Sequence, residues 1–253
     1  MTDIGMFADQ LVIISGAAGG IGKLACEAFL DGGAKVIGLD RDQAQGALLE
    51  ESLARNPGRF VFYGVDVSKP EQILAFANQV RQDAQKVDVL VNNAGVLGMA
   101  PILLTSIEEW DRIQAINLRS VFLMTQSIAP LLSDSSVILN VSSTAALRPS
   151  ANSAAYSVSK AGVITFSKIA AAEFAPRTRV NAICPGPLDT QMPRNFLKDH
   201  PHKDEITNSM IDSTLLKRFG RPEEIVDLLL FLASKKAAYI TGAVFAADGG
   251  FAL

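Results

Sequence analysis

Apolar residues along the chain gather in short blocks, near 11–15, 35–39, 60–64, 87–91, 136–141, 179–183 and 243–246, with longer helix-patterned stretches between them. That alternation predicts an α/β fold, a doubly wound seven-stranded parallel sheet with helices on both faces. No internal repeat, low-complexity tract or Pro/Gly/Ser linker interrupts it, so a single domain over 1–253 is expected. One stretch breaks the rhythm: residues 190–215 are polar and poorly periodic, and include Met192, Phe196, Leu197 and Met210. The segment follows a strand C-terminus, the edge where open α/β sheets bind ligands, so it reads as a substrate lid, with an ordinary surface helix pair as the alternative.

Glycines cluster at the first strand-to-helix junction. Ser15-Gly16-Ala17-Ala18-Gly19-Gly20-Ile21-Gly22 follows Leu11-Val12-Ile13-Ile14 and precedes the helical pattern of 24–30. Such a turn aims backbone N–H groups and the positive end of a helix dipole at one point, and its missing side chains let a pyrophosphate approach. The spacing of Gly16, Gly20 and Gly22 is Gly-x-x-x-Gly-x-Gly, which departs from the common dinucleotide fingerprint and keeps its mechanics. A tight turn with no ligand is the plainer reading of glycines alone.

The second strand ends at Asp40, about twenty residues past the loop, where a dinucleotide-binding fold presents a carboxylate to the adenosine ribose. A carboxylate there accepts hydrogen bonds from ribose hydroxyls and repels a 2′-phosphate, which favours NAD over NADP. Arg41 could instead pair with a phosphate, and Asp40 could instead cap the next helix.

Tyr156 and Lys160 lie four residues apart in Tyr156-Ser157-Val158-Ser159-Lys160, a spacing that stacks phenol and ammonium on one helical face. A fixed positive charge beside a phenol favours the phenolate and makes the pair a candidate acid/base. An amphipathic helix with a snorkelling lysine has the same spacing.

With these pieces in order, the chain resembles the classical short-chain dehydrogenase/reductase family from about residue 9 to the C-terminus. Further family motifs follow: Asp66-Val67 after the third strand, Asn92-Asn93-Ala94-Gly95 after the fourth, Asn117 in a long helical segment, Asn140-Val141-Ser142-Ser143 ending the fifth, and Pro185-Gly186-Pro187-Leu188-Asp189-Thr190 after the sixth. Ser15 stands where the family often has Thr and keeps the hydroxyl.

The resemblance implies a Rossmann fold, a nicotinamide cofactor and a catalytic set of Asn117, Ser143, Tyr156 and Lys160. It implies that Tyr156 exchanges a proton with the substrate oxygen, Ser143 hydrogen-bonds that oxygen, and Lys160 lowers the tyrosine pKa and meets the nicotinamide ribose. Asn117 would hold a water on a proton relay. The cofactor contacts it implies are Gly16, Gly20, Ile21, Gly22, Asp40, Arg41, Asp66, Val67, Asn93, Ala94, Gly95, Pro185, Gly186, Leu188 and Thr190, besides Tyr156 and Lys160. Ser142 is expected to be structural.

Composition narrows the remainder. Hydrophobic residues make up 49% of the chain, enough for a sizeable core, and a net charge of −3 offers no basic field for nucleic acid or an anionic membrane. Met1-Thr2-Asp3-Ile4-Gly5 does not resemble a secretory signal and no apolar run is long enough for a membrane span, so a cytoplasmic protein is expected. Cys26 and Cys184 read as small buried hydrophobes. His200 and His202, with Asp199 and Asp204 nearby, lack the converging ligands a metal needs and are expected in an exposed loop. No histidine accompanies Ser143 as a hydrolase would require.

The expected function is therefore an NAD-dependent oxidoreductase interconverting a secondary alcohol and a ketone. The alternatives are a reductase of 3-oxoacyl thioesters, which in this family more often uses NADP, and a dinucleotide-binding sensor or scaffold without chemistry. Pocket candidates Val96, Leu97, Ala145, Leu147, Pro187, Met192 and Phe196 are mostly apolar. A homotetramer (or dimer) built on helices around 107–130 and 153–175 is the family expectation; the apolar tail at 243–253 suits an interface or a buried edge strand equally.

Overall fold

The computed structural model describes residues 5–54, 59–83, 86–190, 198 and 201–253. Its strands are β1 (Leu11–Ser15), β2 (Lys35–Asp40), β3 (Phe60–Gly64), β4 (Val87–Asn92), β5 (Leu132–Val141), β6 (Thr178–Pro185) and β7 (Val244–Ala247). They form one parallel sheet in the order β3-β2-β1-β4-β5-β6-β7. β1 is buried on both faces, because its alternating side chains enter two separate cores. Val12 and Ile14 face α1 (Gly20–Asp31) and α8 (Pro222–Ala233), through Phe29, Leu30, Ile225 and Leu229. Leu11 and Ile13 face the core made by α3 (Pro70–Gln82), α5 (Ser120–Ile128) and α6 (Ala154–Phe174).

The chain direction across the sheet reverses between β1 and β4. At such a switch point the loops leaving the two strands part, and a crevice opens at the carboxyl edge. The glycine loop and the Asn93-Ala94-Gly95 loop both leave from there.

Two departures from the periodicity have local causes. β5 starts at Leu132 rather than 136, because Leu132 pairs with Val87 across a register shift between Val87 and Val89, and the polar Ser133-Asp134-Ser135 run masks that pairing. The segment expected as one helix over 107–130 is α4 (Ile107–Gln114), a π-helical turn (Ala115–Arg119) and α5. Asp42, not Asp40, caps α2 (Gln43–Ser52), accepting the Gln45 amide at 3.0 Å. Within 190–215 the chain forms α7 (Lys203–Asp212); Met192, Phe196, Leu197, Asp199 and His200 lie outside the described residues. No helix among the described residues is long and apolar enough to cross a membrane.

Candidate active site

The glycine loop is fastened from three sides. Ser15 Oγ accepts the amides of Asn93 and Ala94 at 3.1 and 3.2 Å, and Asn93 Nδ2 donates to the carbonyls of Ser15 and Gly16, both at 3.1 Å. The Ala18 amide donates to Asp40 Oδ2 at 3.1 Å, and Asp40 Oδ1 accepts the Asp42 amide at 3.1 Å. The loop thus bridges the ends of β1, β2 and β4. Gly16 has φ +69°, and a Cβ there would stand 2.9 Å from Ala94 Cα; one on Gly22 would stand 2.0 Å from the Gly16 carbonyl oxygen. At Gly19 and Gly20 nothing lies within 4 Å of a built Cβ, so the loop presents open space over an α1 N-terminus that no side chain caps.

Beyond the loop, a cavity of about 570 Å³ is lined by Arg41, Asp42, Gln43, Gly64, Asp66 and Gln72. Burial pushes the Asp66 carboxyl up, but the Ser68 hydroxyl and amide, then the Arg41 and Lys69 charges, outweigh it and hold the group below the usual carboxylate range. Asp66 and Arg41 therefore line this cavity together, and Asp40 ends β2 immediately before Arg41. These residues fit a dinucleotide: open amides and a cramped glycine turn for the pyrophosphate, carboxylates for the ribose.

The chemical end lies over β5, β6 and α6. Ser143 lies two residues beyond β5 in extended conformation, with its hydroxyl beside the Tyr156 phenol. Tyr156 is half-buried by surface, but its hydroxyl is densely surrounded; that burial raises its proton affinity, the Ser143 hydroxyl opposes the rise and the neighbouring Cys184 adds to it. Lys160 is buried, and its ammonium donates to the Val141 carbonyl at 2.9 Å. Burial pushes its pKa down to about 8. The ammonium is thus engaged with a β5 carbonyl, and the group that opposes the rise of the phenol's pKa in this structure is Ser143, not Lys160. Ser142 Oγ donates to the Lys160 carbonyl at 2.7 Å, a structural role.

Lys160 supplies a test of this electrostatic picture. Between about pH 8 and 10 the unfolded chain holds a lysine proton that the folded protein has released, so stability rises with pH across that window. Compared with Lys160→Met, the wild-type urea midpoint is expected to gain between about pH 7 and pH 10. A difference that stays constant contradicts the buried, depressed lysine.

Asn117 lies in the π-helical turn, fully buried. Its Oδ1 accepts the Val96 amide at 2.8 Å, and its Nδ2 donates to the Val96 carbonyl at 3.0 Å and to Ser159 Oγ at 3.1 Å. A Cβ on Gly95 would sit 3.2 Å from Lys160 Nζ and 3.5 Å from Asn117 Oδ1, which brings Gly95, Asn117 and Lys160 together.

The loop after β6 is tied to the C-terminal part of the chain. Gly186 lies against Asp248, where a Cβ would meet its Cα at 2.6 Å, and Leu188 bridges to Gly220 while its carbonyl accepts the Thr190 amide at 3.0 Å. The sequence did not single out Ser159 and Gln114, whose partners are distant in the chain, nor the place of Cys184 beside Lys160 and Tyr156; no local pattern marks them. Both cysteines are buried and unbridged, and no group of three or more potential metal ligands occurs among the described residues.

Comparison with known proteins agrees with this geometry. The family described as Enoyl-(Acyl carrier protein) reductase matches residues 16–252. A 3-oxoacyl-acyl-carrier-protein reductase FabG of Thermotoga maritima is 36% identical, covering 96% of this chain and 98% of its own. A cyclopentanol dehydrogenase of Comamonas sp. is 34% identical over 98% of this chain and 99% of its own. Among solved structures, a 3-ketoacyl-(acyl-carrier-protein) reductase from Brucella melitensis complexed with NADH superposes with a TM-score of 0.88 at 32% identity, covering 98% of this chain and 100% of its own.

Proposed function

The chain belongs to the classical short-chain dehydrogenase/reductase family, and from that premise we propose that it is an NAD-dependent oxidoreductase interconverting a secondary alcohol and a ketone. The observation that carries the reading is the meeting of Ser143, Tyr156 and Lys160 at the carboxyl edge of a sheet whose glycine loop stands open. When bound, the nicotinamide supplies the acceptor or donor of a hydride. The protein's own residues handle the proton. In oxidation Tyr156 takes the hydroxyl proton and in reduction it returns it, while Ser143 donates to the oxygen on which charge develops. Lys160 holds positive charge under the site, and Asn117, beside it and Gly95, belongs to a relay that renews the Tyr156 proton.

Asp40 is assigned the cofactor preference. Asp40→Asn removes the charge and keeps one amide acceptor, so the NADP-to-NAD ratio of kcat/KM is expected to rise by about tenfold or more. Parallel steady-state assays with both cofactors measure it, and an unmoved ratio removes Asp40 from that role.

A second reading, reduction of a 3-oxoacyl thioester, is favoured by the names of two similar proteins. Secondary alcohols, hydroxy acids and hydroxyacyl thioesters offered with NAD and with NADP separate the two: preference for thioester and NADP selects the second, and cofactor binding with no turnover rejects both. To the same reading belong a lid over 190–215, cytoplasmic residence and a homotetramer (or dimer), the last supported by exposed apolar side chains on and beside α4 to α6, among them Leu103, Ile107, Phe122, Val158 and Ile169.

A further inference from the structure

The turn of α6 that carries Tyr156 is held by more than its own helix. Within a helix the carbonyls of Ala155 and Tyr156 each have a second lone pair free. Gln114 Nε2 donates to the Ala155 carbonyl at 2.9 Å, and Ser159 Oγ donates to the Tyr156 carbonyl at 2.6 Å. Because the Ser159 hydroxyl hydrogen is committed to that carbonyl, its lone pairs are left to accept Asn117 Nδ2 at 3.1 Å. Gln114 and Asn117 therefore grip successive carbonyl positions of one turn, the second through Ser159. Ser159 is fully buried, as is Asn117.

We propose that Ser159 is a positioning residue for the reaction, whose hydroxyl locks the Tyr156 turn to Asn117 and through it to the Val96 backbone. The inference rests on the reading of Tyr156 as the acid/base. It has a directional consequence. The Ser143 hydroxyl stands beside the phenol and opposes the effect of burial. A turn freed from Asn117 shifts the phenol relative to Ser143, weakens that influence and leaves burial less opposed. The titratable group that faces the phenol is Cys184 on β6, with Lys160 and Asp248 in turn beside Cys184. None of them bonds Ser159 among the described residues, so removing its hydroxyl leaves their charges in place.

The test is Ser159→Ala. Steady-state kinetics on the best alcohol is expected to show kcat about tenfold lower, KM and NADH affinity within about twofold, and the acidic limb of the pH profile at higher pH. An independent readout needs no turnover. In protein labelled at tyrosine Cζ, with the Tyr156 signal among the three tyrosines assigned through Tyr156→Phe, its titration midpoint is expected about half a pH unit higher in Ser159→Ala. Ser157→Ala is the control, since Ser157 is buried on the same helix and its hydroxyl meets that of Ser153 at 2.8 Å; its midpoint should stay at the wild-type value. Ser159→Cys, nearly isosteric and a weaker acceptor, carries the same test if the alanine variant does not fold, with a smaller shift in the same direction.

An unmoved Tyr156 midpoint in a folded Ser159 variant overturns the proposal, as does an equal shift in Ser157→Ala. Wild-type silence on every substrate overturns the functional reading instead, and the titration still decides whether Ser159 positions the phenol.

Discussion

Tyr156→Phe is expected to lower kcat by about three orders of magnitude while NADH binds with wild-type affinity. The substitution removes one oxygen from a site where Ser143 stands beside it and where no other described acid stands in the same position. His202, the one histidine among the described residues, is exposed beside Glu205 on a different part of the surface. The neighbouring Lys160 is engaged with the Val141 carbonyl, and the loss is expected on the chemical step and not on KM. Burial already raises the phenol's pKa, so deleting the hydroxyl removes a desolvated polar group along with its polar contact, and stability should change by less than about 1 kcal/mol. Stopped-flow turnover and NADH fluorescence titration separate the two effects. Lost binding in the variant, or turnover within about tenfold of wild type, contradicts the role.

Gly22→Ala carries the second large effect, and it acts on the cofactor end. The new Cβ would stand 2.0 Å from the Gly16 carbonyl oxygen and 2.8 Å from Asn93 Nδ2, and backbone cannot swing aside as a long side chain can. The loop must shift and break its tie to Asn93, at a cost of about 1–3 kcal/mol in stability. A displacement near 1 Å in a phosphate cradle is expected to weaken NADH binding by about a hundredfold. Gly19→Ala is the contrast, because its Cβ meets nothing within 4 Å on an extended backbone of φ −143°, and its fold stability should be unchanged. Calorimetric melting and NADH titration of both variants measure this; equal behaviour contradicts the cradle.

The contrast between these glycines was not visible in the sequence, though the loop was. Strand blocks, the glycine junction, Asp40 at a strand end and the Tyr156/Lys160 pair are local patterns, each set by burial or helical spacing, and their places in the structure follow the pattern. The ties that give them meaning are long-range. Asn93 reaches back to Ser15 and Gly16 across the β1/β4 crevice, and a pattern along the chain carries no trace of that contact. The π-helical turn at Asn117 was equally hidden: apolar spacing runs through it undisturbed, while its side chain binds the distant Val96 backbone. Spacing did indicate that Lys160 and Tyr156 share a face, yet it could not show that the ammonium turns toward Val141.

Deuterium transfer tests the central claim most directly. The best secondary alcohol, deuterated at the carbinol carbon, is incubated with NAD and the protein, and the reduced cofactor is examined for label at C4. One deuterium per NADH formed is expected, with labelled NADH appearing about three orders of magnitude more slowly when Tyr156→Phe replaces the wild type. Reduced cofactor without label, or labelled cofactor formed at undiminished rate by the variant, would contradict it.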